Sequence, residues 1–251
     1  MTTTPTSTMV TMIDPESATA EAYRILRTNI ILRDVDKNIK VINVISTTAQ
    51  EGKSTTVLNL AAVFSQMGKR VLVLDLDLRL PSLHKKLNLK NDKGVTDVVS
   101  GQCKFSEAVV HYADNFDILL AGTRIPFSAE FIQSASMKDF ITQVRDYYDL
   151  VILDCPPVGM VTDGVLASEL ADGTILVCAS NVNEKRDLMR TKDQLTQMHA
   201  NVLGVVMTRM PVGKKHYGKY GYGYGYGYGY GYGYGEQPSD KKKGKSKAKK
   251  K

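Results

Sequence analysis

Three short stretches carry residue types that could do chemistry together. STTAQEGKSTT (46–56) contains Gly52-Lys53-Ser54, VLVLDLDLR (71–79) holds Asp75, Asp77 and Arg79, and LVILDCPP (150–157) reaches Asp154, Cys155 and two prolines. A glycine, lysine and hydroxyl that open a helix can cradle phosphate. Backbone N–H groups and the helix N-terminus hold oxygens, the lysine reaches the terminal phosphates, and the hydroxyl ligates Mg²⁺. Glu51, Gly52, Lys53, Ser54 and Thr55 are therefore the expected nucleotide-binding stretch, although Thr47 stands where the general pattern has its first glycine. The competing reading of this segment alone is a surface turn with a helix-capping hydroxyl.

Asp75 and Asp77 lie at i and i+2, the same side of an extended chain. Like charges so close repel unless a cation or a raised pKa separates them. Beside a nucleotide the economical reading is Mg²⁺ held largely through water, with one carboxylate facing the nucleophile. Without a nucleotide, an acidic turn paired with Arg79 is an equal alternative. Asp154 ends an apolar run and is expected to orient metal-bound water opposite Ser54. Pro156 and Pro157 stiffen the loop that follows. Cys155 reads as a passive small residue, since His84, His111, His199 and His216 are scattered and form no constellation with it.

These groups must be positioned by a sheet. Six short runs, 41–46, 71–75, 116–122, 150–154, 174–180 and 203–207, are rich in Val, Ile and Leu and do not alternate with polar residues. Such runs, separated by helix-like segments near 53–67, 136–147, 164–170 and 184–199, predict an α/β fold: a P-loop NTPase-type, mostly parallel sheet with helices on both faces. Ligands in such sheets bind outside the carboxyl ends of the strands. There the three stretches above fall, together with Thr208 and Arg209. The boundaries expected are a disordered arm over 1–14, a domain over 15–210 and a disordered tail over 211–251. A first helix is expected to start at Asp14-Pro15, with Asp14 capping and Glu16 in its first turn, and to run to about Arg33.

Bulk properties narrow the class. The 251 residues are 43% hydrophobic and 24% charged, ordinary values for a globular protein. Three separated cysteines suit free thiols in a reducing compartment and not a disulfide framework. No apolar run approaches the ~18 residues that cross a bilayer, and the Thr-rich N-terminus is no signal peptide. A cytoplasmic protein is expected. The net charge of +7 is a tail property: eleven lysines against Glu236 and Asp240 place +9 in residues 211–251, which leaves −2 for residues 1–210. A basic-domain case for nucleic-acid binding fails on that division.

The tail is itself a motif. Tyr217, Tyr220, Tyr222, Tyr224, Tyr226, Tyr228, Tyr230, Tyr232 and Tyr234 alternate almost strictly with glycine, and KKKGKSKAKKK follows. The combination of EGKSTT, LDLDLR with Pro81 close behind, DCPP and a C-terminal tyrosine cluster resembles the bacterial tyrosine kinases of capsular and extracellular polysaccharide systems, over about residues 16–235. The lack of a membrane span resembles the split form, in which kinase and membrane activator are separate chains.

The resemblance implies ATP and Mg²⁺ as cofactors, Lys53 neutralising the transferring phosphate and Ser54 on the metal. It puts Asp75 near the attacking phenol, and Asp77 and Asp154 around the metal. Arg79, Thr208 and Arg209 join the expected ATP-binding set, Thr208 near a position where related ATPases contact adenine with asparagine. The tail tyrosines become phosphorylation sites. EAYRILR places Glu21, Arg24 and Arg27 on the helix face that joins subunits into a ring; on spacing alone these are a surface salt-bridge series. Further implied are a transmembrane activator of the chain-length regulator type that recruits the kinase to the inner membrane face, a ring of unphosphorylated copies, and a cognate tyrosine phosphatase. The Lys-rich end is expected to meet anionic lipid or the tail's own phosphates. Ala49-Gln50 depart from the Pro-Gly frequent in relatives, and Cys155 from their threonine.

Two other classes remain in view: a partitioning or positioning ATPase of the same fold, and a binding module whose Tyr/Gly and Lys segments adhere to single-stranded nucleic acid. The first usually carries a second lysine early in the phosphate loop, where Ser46-Thr47-Thr48 stands here. Each phosphotyrosine adds about −1.5 to −2, so the cluster also reads as a graded charge switch that reverses the tail's sign.

Overall fold

A computed structural model of the protein describes residues 6–34, 38–159, 161–180, 182 and 185–210. The expected tail and its nine tyrosines lie outside the described residues. Seven strands form one sheet: β1 Val41–Ser46, β2 Val71–Asp75, β3 Val110–Ala113, β4 Phe116–Leu119, β5 Leu150–Asp154, β6 Gly173–Ala179 and β7 Val202–Thr208. Their order is β3-β4-β2-β5-β1-β6-β7, and every neighbouring pair is parallel except β3 and β4. The six apolar runs are all strands. β3 has no such run; VHYA is a four-residue edge strand, only partly buried, whose hairpin turns at Asn115 with φ 57°. Edge strands need only one apolar face, which a short polar segment hides from a search for continuous runs.

The helices are α1 Val10–Ile13, α2 Ala18–Arg33, α3 Lys53–Ser65, α4 Leu83–Leu87, α5 Val95–Val99, α6 Phe105–Ala108, α7 Ser128–Gln133, α8 Ala135–Tyr147, α9 Asp163–Leu166 and α10 Lys185–Gln197. A 3₁₀ turn, Ala167–Leu170, completes the segment expected as one helix over 164–170. Successive strand residues serve opposite faces. Ile42, Val44, Val71, Val73 and Ile152 pack with α2 and α3. Val41, Ile45, Leu72, Leu74, Val151 and Leu153 pack with residues of α7, α8 and α10. Twelve of the thirteen residues of α3 are buried, because α1 and α2 cover the side that the sheet does not.

Two expectations about the N-terminus are corrected. Residues 9–13 are not a disordered arm: Met9 and Thr11 are fully buried. The Asn59 carboxamide on α3 accepts from Thr11 N and Oγ1, both at 3.0 Å, and donates to Thr8 O at 2.8 Å. A Thr-rich composition hid this, because the buried hydroxyl is satisfied by a partner 48 residues away. The helix cap is Ser17, not Asp14; its Oγ accepts from Ala20 N at 3.2 Å and donates to Asp14 O at 2.7 Å, and α2 begins at Ala18. Asn59→Ala is expected to lower unfolding stability by about 2–3 kcal/mol, read by urea denaturation.

Candidate active site

The order β2-β5-β1 sets three strand ends side by side. Asp75 and Asp154 are register partners across β2 and β5. Beside them β1 runs into the phosphate loop, which turns through Gln50 (φ 63°) and Gly52 (φ 91°) before α3 starts at Lys53. Gln50 thus adopts the left-handed backbone that glycine holds without strain.

The loop is braced from several sides. Val158 N and Gly159 N donate to Ser46 O and Thr47 O at 2.8 and 2.9 Å, so the DCPP loop is stitched to the phosphate loop. A Cβ on Gly159 would stand 2.5 Å from Thr47 O, a distance only glycine permits. Glu51 is buried, its carboxylate accepting from Thr48 N at 2.8 Å. Thr208 Oγ1 donates to Glu51 O at 2.6 Å, and the Arg209 guanidinium to Gln50 O. Of the expected nucleotide contacts, then, Glu51, Thr208 and Arg209 direct their side chains at the loop itself. Thr208→Val is expected to raise KM for ATP about fivefold, the cost of about one hydrogen bond, with the ATP-to-GTP preference unchanged because the hydroxyl serves the loop and not the base. Steady-state kinetics with both nucleotides checks it.

Lys53 is buried and its ammonium is ion-paired with Asp154 Oδ1. Burial works to lower its pKa, but the Asp154 carboxylate outweighs it and holds Lys53 above its ordinary value. Asp75 is 1% exposed; Oδ1 accepts from Asp77 N at 3.2 Å, and Oδ2 has no hydrogen-bond partner among the described residues. Burial, then the Asp154 charge, push its pKa well above the usual carboxylate range. Burial also raises Asp77, whose Oδ1 accepts from Leu80 N at 3.1 Å.

These residues fit a hard cation. The Asp154 carboxylate at the end of β5, the Asp77 carboxylate in the cleft over the loop and the Ser54 hydroxyl at the head of α3 are all oxygen donors. Among the described residues no three His, Cys, Asp or Glu side chains could hold a metal by themselves. Mg²⁺ in general keeps waters and shares phosphate oxygens in place of a protein cage. A cleft of about 330 Å³ opens over the loop, lined by Ser46, Lys53, Ser54, Thr55, Asp77 and Pro157. Cys155 is fully buried and burial drives its thiol pKa well up, so it is inert.

Arg79 is engaged elsewhere. Its Nε and Nη2 donate to the two oxygens of Asp163 at 2.9 and 3.0 Å, and Ser128 Oγ adds a third bond at 2.5 Å. Burial raises the Asp163 pKa, but its bonds to Arg79 and Ser128 prevail and hold it low. Asp163, fully buried, was invisible beforehand: VTDG carries an acid near a strand end, but its partner lies 84 residues away. On α2, Arg24 pairs with Glu21 at 2.9 Å, and Arg27 Nη1 donates to Val63 O at 2.7 Å on α3. The i, i+3 series is therefore used partly inside the chain.

A mostly parallel sheet, a phosphate loop opening a buried helix and carboxylates at the adjacent strand ends define a P-loop protein that acts on a nucleoside triphosphate. Residues 39–205 match the AAA domain family. Tyrosine-protein kinase YwqD of Bacillus subtilis is 37% identical over 215 residues, covering 85% of this chain and 91% of that one. Among solved structures, the chimerical protein CapA2B2 superposes with a TM-score of 0.79 at 29% identity, over 84% of this chain and 93% of that one. The kinase domain of Escherichia coli tyrosine kinase ETK does so with 0.76 at 25% identity, over 89% and 86%. The chain belongs to the bacterial tyrosine-protein kinases. It is an ATP-binding protein-tyrosine kinase.

Proposed function

We propose that this kinase phosphorylates the tyrosine cluster in the tail of a neighbouring copy, and that the phosphate count regulates synthesis and export of a capsular or extracellular polysaccharide. The observation that carries the reading is the buried Lys53–Asp154–Asp75 group under a phosphate loop, in a chain that supplies nine tyrosines of its own. Mg²⁺, when bound through Ser54, Asp77 and Asp154, supplies positive charge to the phosphates. Lys53 neutralises charge on the moving phosphoryl group. Asp75 orients the phenol, whose pKa is about 10 in water, and takes its proton late. Its raised pKa suits a proton acceptor better than an ordinary carboxylate. A bond forms from the phenol oxygen to the γ-phosphorus as the bond to ADP breaks.

The partners that follow are a transmembrane activator of the chain-length regulator type and a tyrosine phosphatase, together with a ring of unphosphorylated copies seated on Glu21, Arg24 and Arg27. No helix among the described residues is long and apolar enough to cross a membrane. Mixing Lys53→Met protein with a tail-deleted active chain tests transfer between copies. Phosphotyrosine on the Lys53→Met tail is expected; its absence, with each partner folded and the activator present, would refute the reading.

A further inference from the structure

Leu80 is 65% exposed at the mouth of the cleft over the phosphate loop, which it lines together with Pro157 and Lys86. An isolated exposed leucine is ordinary, but this one is held out. Its own N–H is bonded to Asp77 Oδ1, and the preceding Arg79 is clamped through two bonds to the buried Asp163. Those bonds anchor the backbone at Leu80 and the side chain before it. Pro157 follows the Asp154 strand end in the stitched DCPP loop, so it too is rigid. Lys86, on α4, is exposed; its backbone N–H donates to Ser82 O, and its ammonium has no ion-pair or hydrogen-bond partner among the described residues. Lys53 already occupies the loop's own cationic position, which leaves Lys86 as a second, unassigned cation on the same cleft.

We propose that Leu80 and Pro157 form the lip on which the acceptor phenol lies, and that Lys86 binds the phosphate of a tyrosine already modified two residues away. This rests on the proposed phosphorylation of the tail and assigns the subsite of that second substrate. A flat aromatic ring covers the apolar lip, and flanking glycines bring no side chain to obstruct it. In an extended chain, residues two apart point the same way at a spacing of about 7 Å. A Tyr-Gly repeat laid along this cleft, which Leu80, Pro157 and Lys86 line together, would present one tyrosine to the lip and its modified neighbour to the α4 lysine. An ammonium binds a phosphate dianion as a point charge, with no demand on geometry. The tail thus becomes a better acceptor once its first phosphate is in place.

The test uses the full chain with all nine tail tyrosines changed to serine, loaded with Mg²⁺ and a non-hydrolysable ATP analogue. Anisotropy reads its binding of a labelled Gly-Tyr-Gly-Tyr-Gly-Tyr-Gly peptide and of the same peptide with its central tyrosine phosphorylated. Leu80→Ala is expected to weaken both peptides about tenfold, the worth of part of a leucine side chain. Lys86→Ala is expected to abolish a preference of about fivefold for the phosphopeptide, the size of one solvent-screened charge pair, with ATP-analogue affinity retained. Unchanged peptide affinity in Leu80→Ala overturns the lip. Equal affinity for both peptides before mutation, or loss of ATP-analogue affinity in Lys86→Ala, overturns the phosphate subsite. Transfer to the unlabelled peptide from Mg-ATP, measured in parallel with the activator present, separates the two readings. Leu80-dependent binding without any transfer would fault the tail-phosphorylation reading and leave the peptide site standing.

Discussion

Lys53→Met loses phosphotransfer by about 10³-fold, the scale seen when one donor to a developing anion is removed, and the nucleotide-free protein melts at a lower temperature. Both effects come from one contact. Lys53 is the cation paired with Asp154, and Asp154 is buried beside a second buried carboxylate, Asp75. Removing one partner of a buried pair leaves an uncompensated charge, which costs about 3–5 kcal/mol. The thioether fills the space of the lysine stem, so packing changes little and the loss is electrostatic. Tail phosphotyrosine, quantified by blot against wild type at a temperature where both are folded by circular dichroism, separates lost chemistry from lost structure. Lys53→Arg is not expected to rescue transfer, because a planar fork cannot occupy the point-charge position of an ammonium. Retention of transfer within tenfold of wild type in Lys53→Met would remove Lys53 from the chemical step.

Asp75→Asn works in opposite directions on the two readouts. Transfer falls by about 10²–10⁴-fold, the range for a general base, yet the nucleotide-free fold gains stability. Burial and the neighbouring Asp154 charge both disfavour the Asp75 carboxylate, and one of its oxygens has no hydrogen-bond partner among the described residues. Relief of such a group contributes about 1–3 kcal/mol. The pH dependence follows from the direction of the shift. A carboxyl whose folded pKa lies above its unfolded value contributes stability that is present below the unfolded pKa and is lost as pH rises through the folded one. The Asp75 contribution to wild-type stability therefore falls as pH rises from the acid side, and Asp75→Asn lacks that fall, so the stability difference between the two proteins widens with pH. Urea denaturation of both proteins across the pH range checks the prediction, and parallel curves would refute it.

The phosphate loop and the strand-end carboxylates were legible from residues 46–56, 71–79 and 150–157 because each is a local pattern, a buried run that ends in a polar turn. The six apolar strands and four main helices were legible for the same reason, since period and composition are properties of a dozen neighbouring residues. Edge strand β3 and the clasp of Thr11 on Asn59 were not: β3 is a short, partly polar strand with no apolar run, and Thr11 is satisfied by a partner 48 residues away. The sequence by itself determined which side chains carry charge and phosphate-binding capacity, and that they fall at strand ends. Only the tertiary structure decided their partners. Lys53 meets Asp154 across 101 residues, Arg79 meets Asp163 across 84, and Thr208 supports Glu51 across 157. Those pairings depend on the order β2-β5-β1-β6-β7, and strand order is set by how helices and loops pack on both faces, which no local window of residues contains.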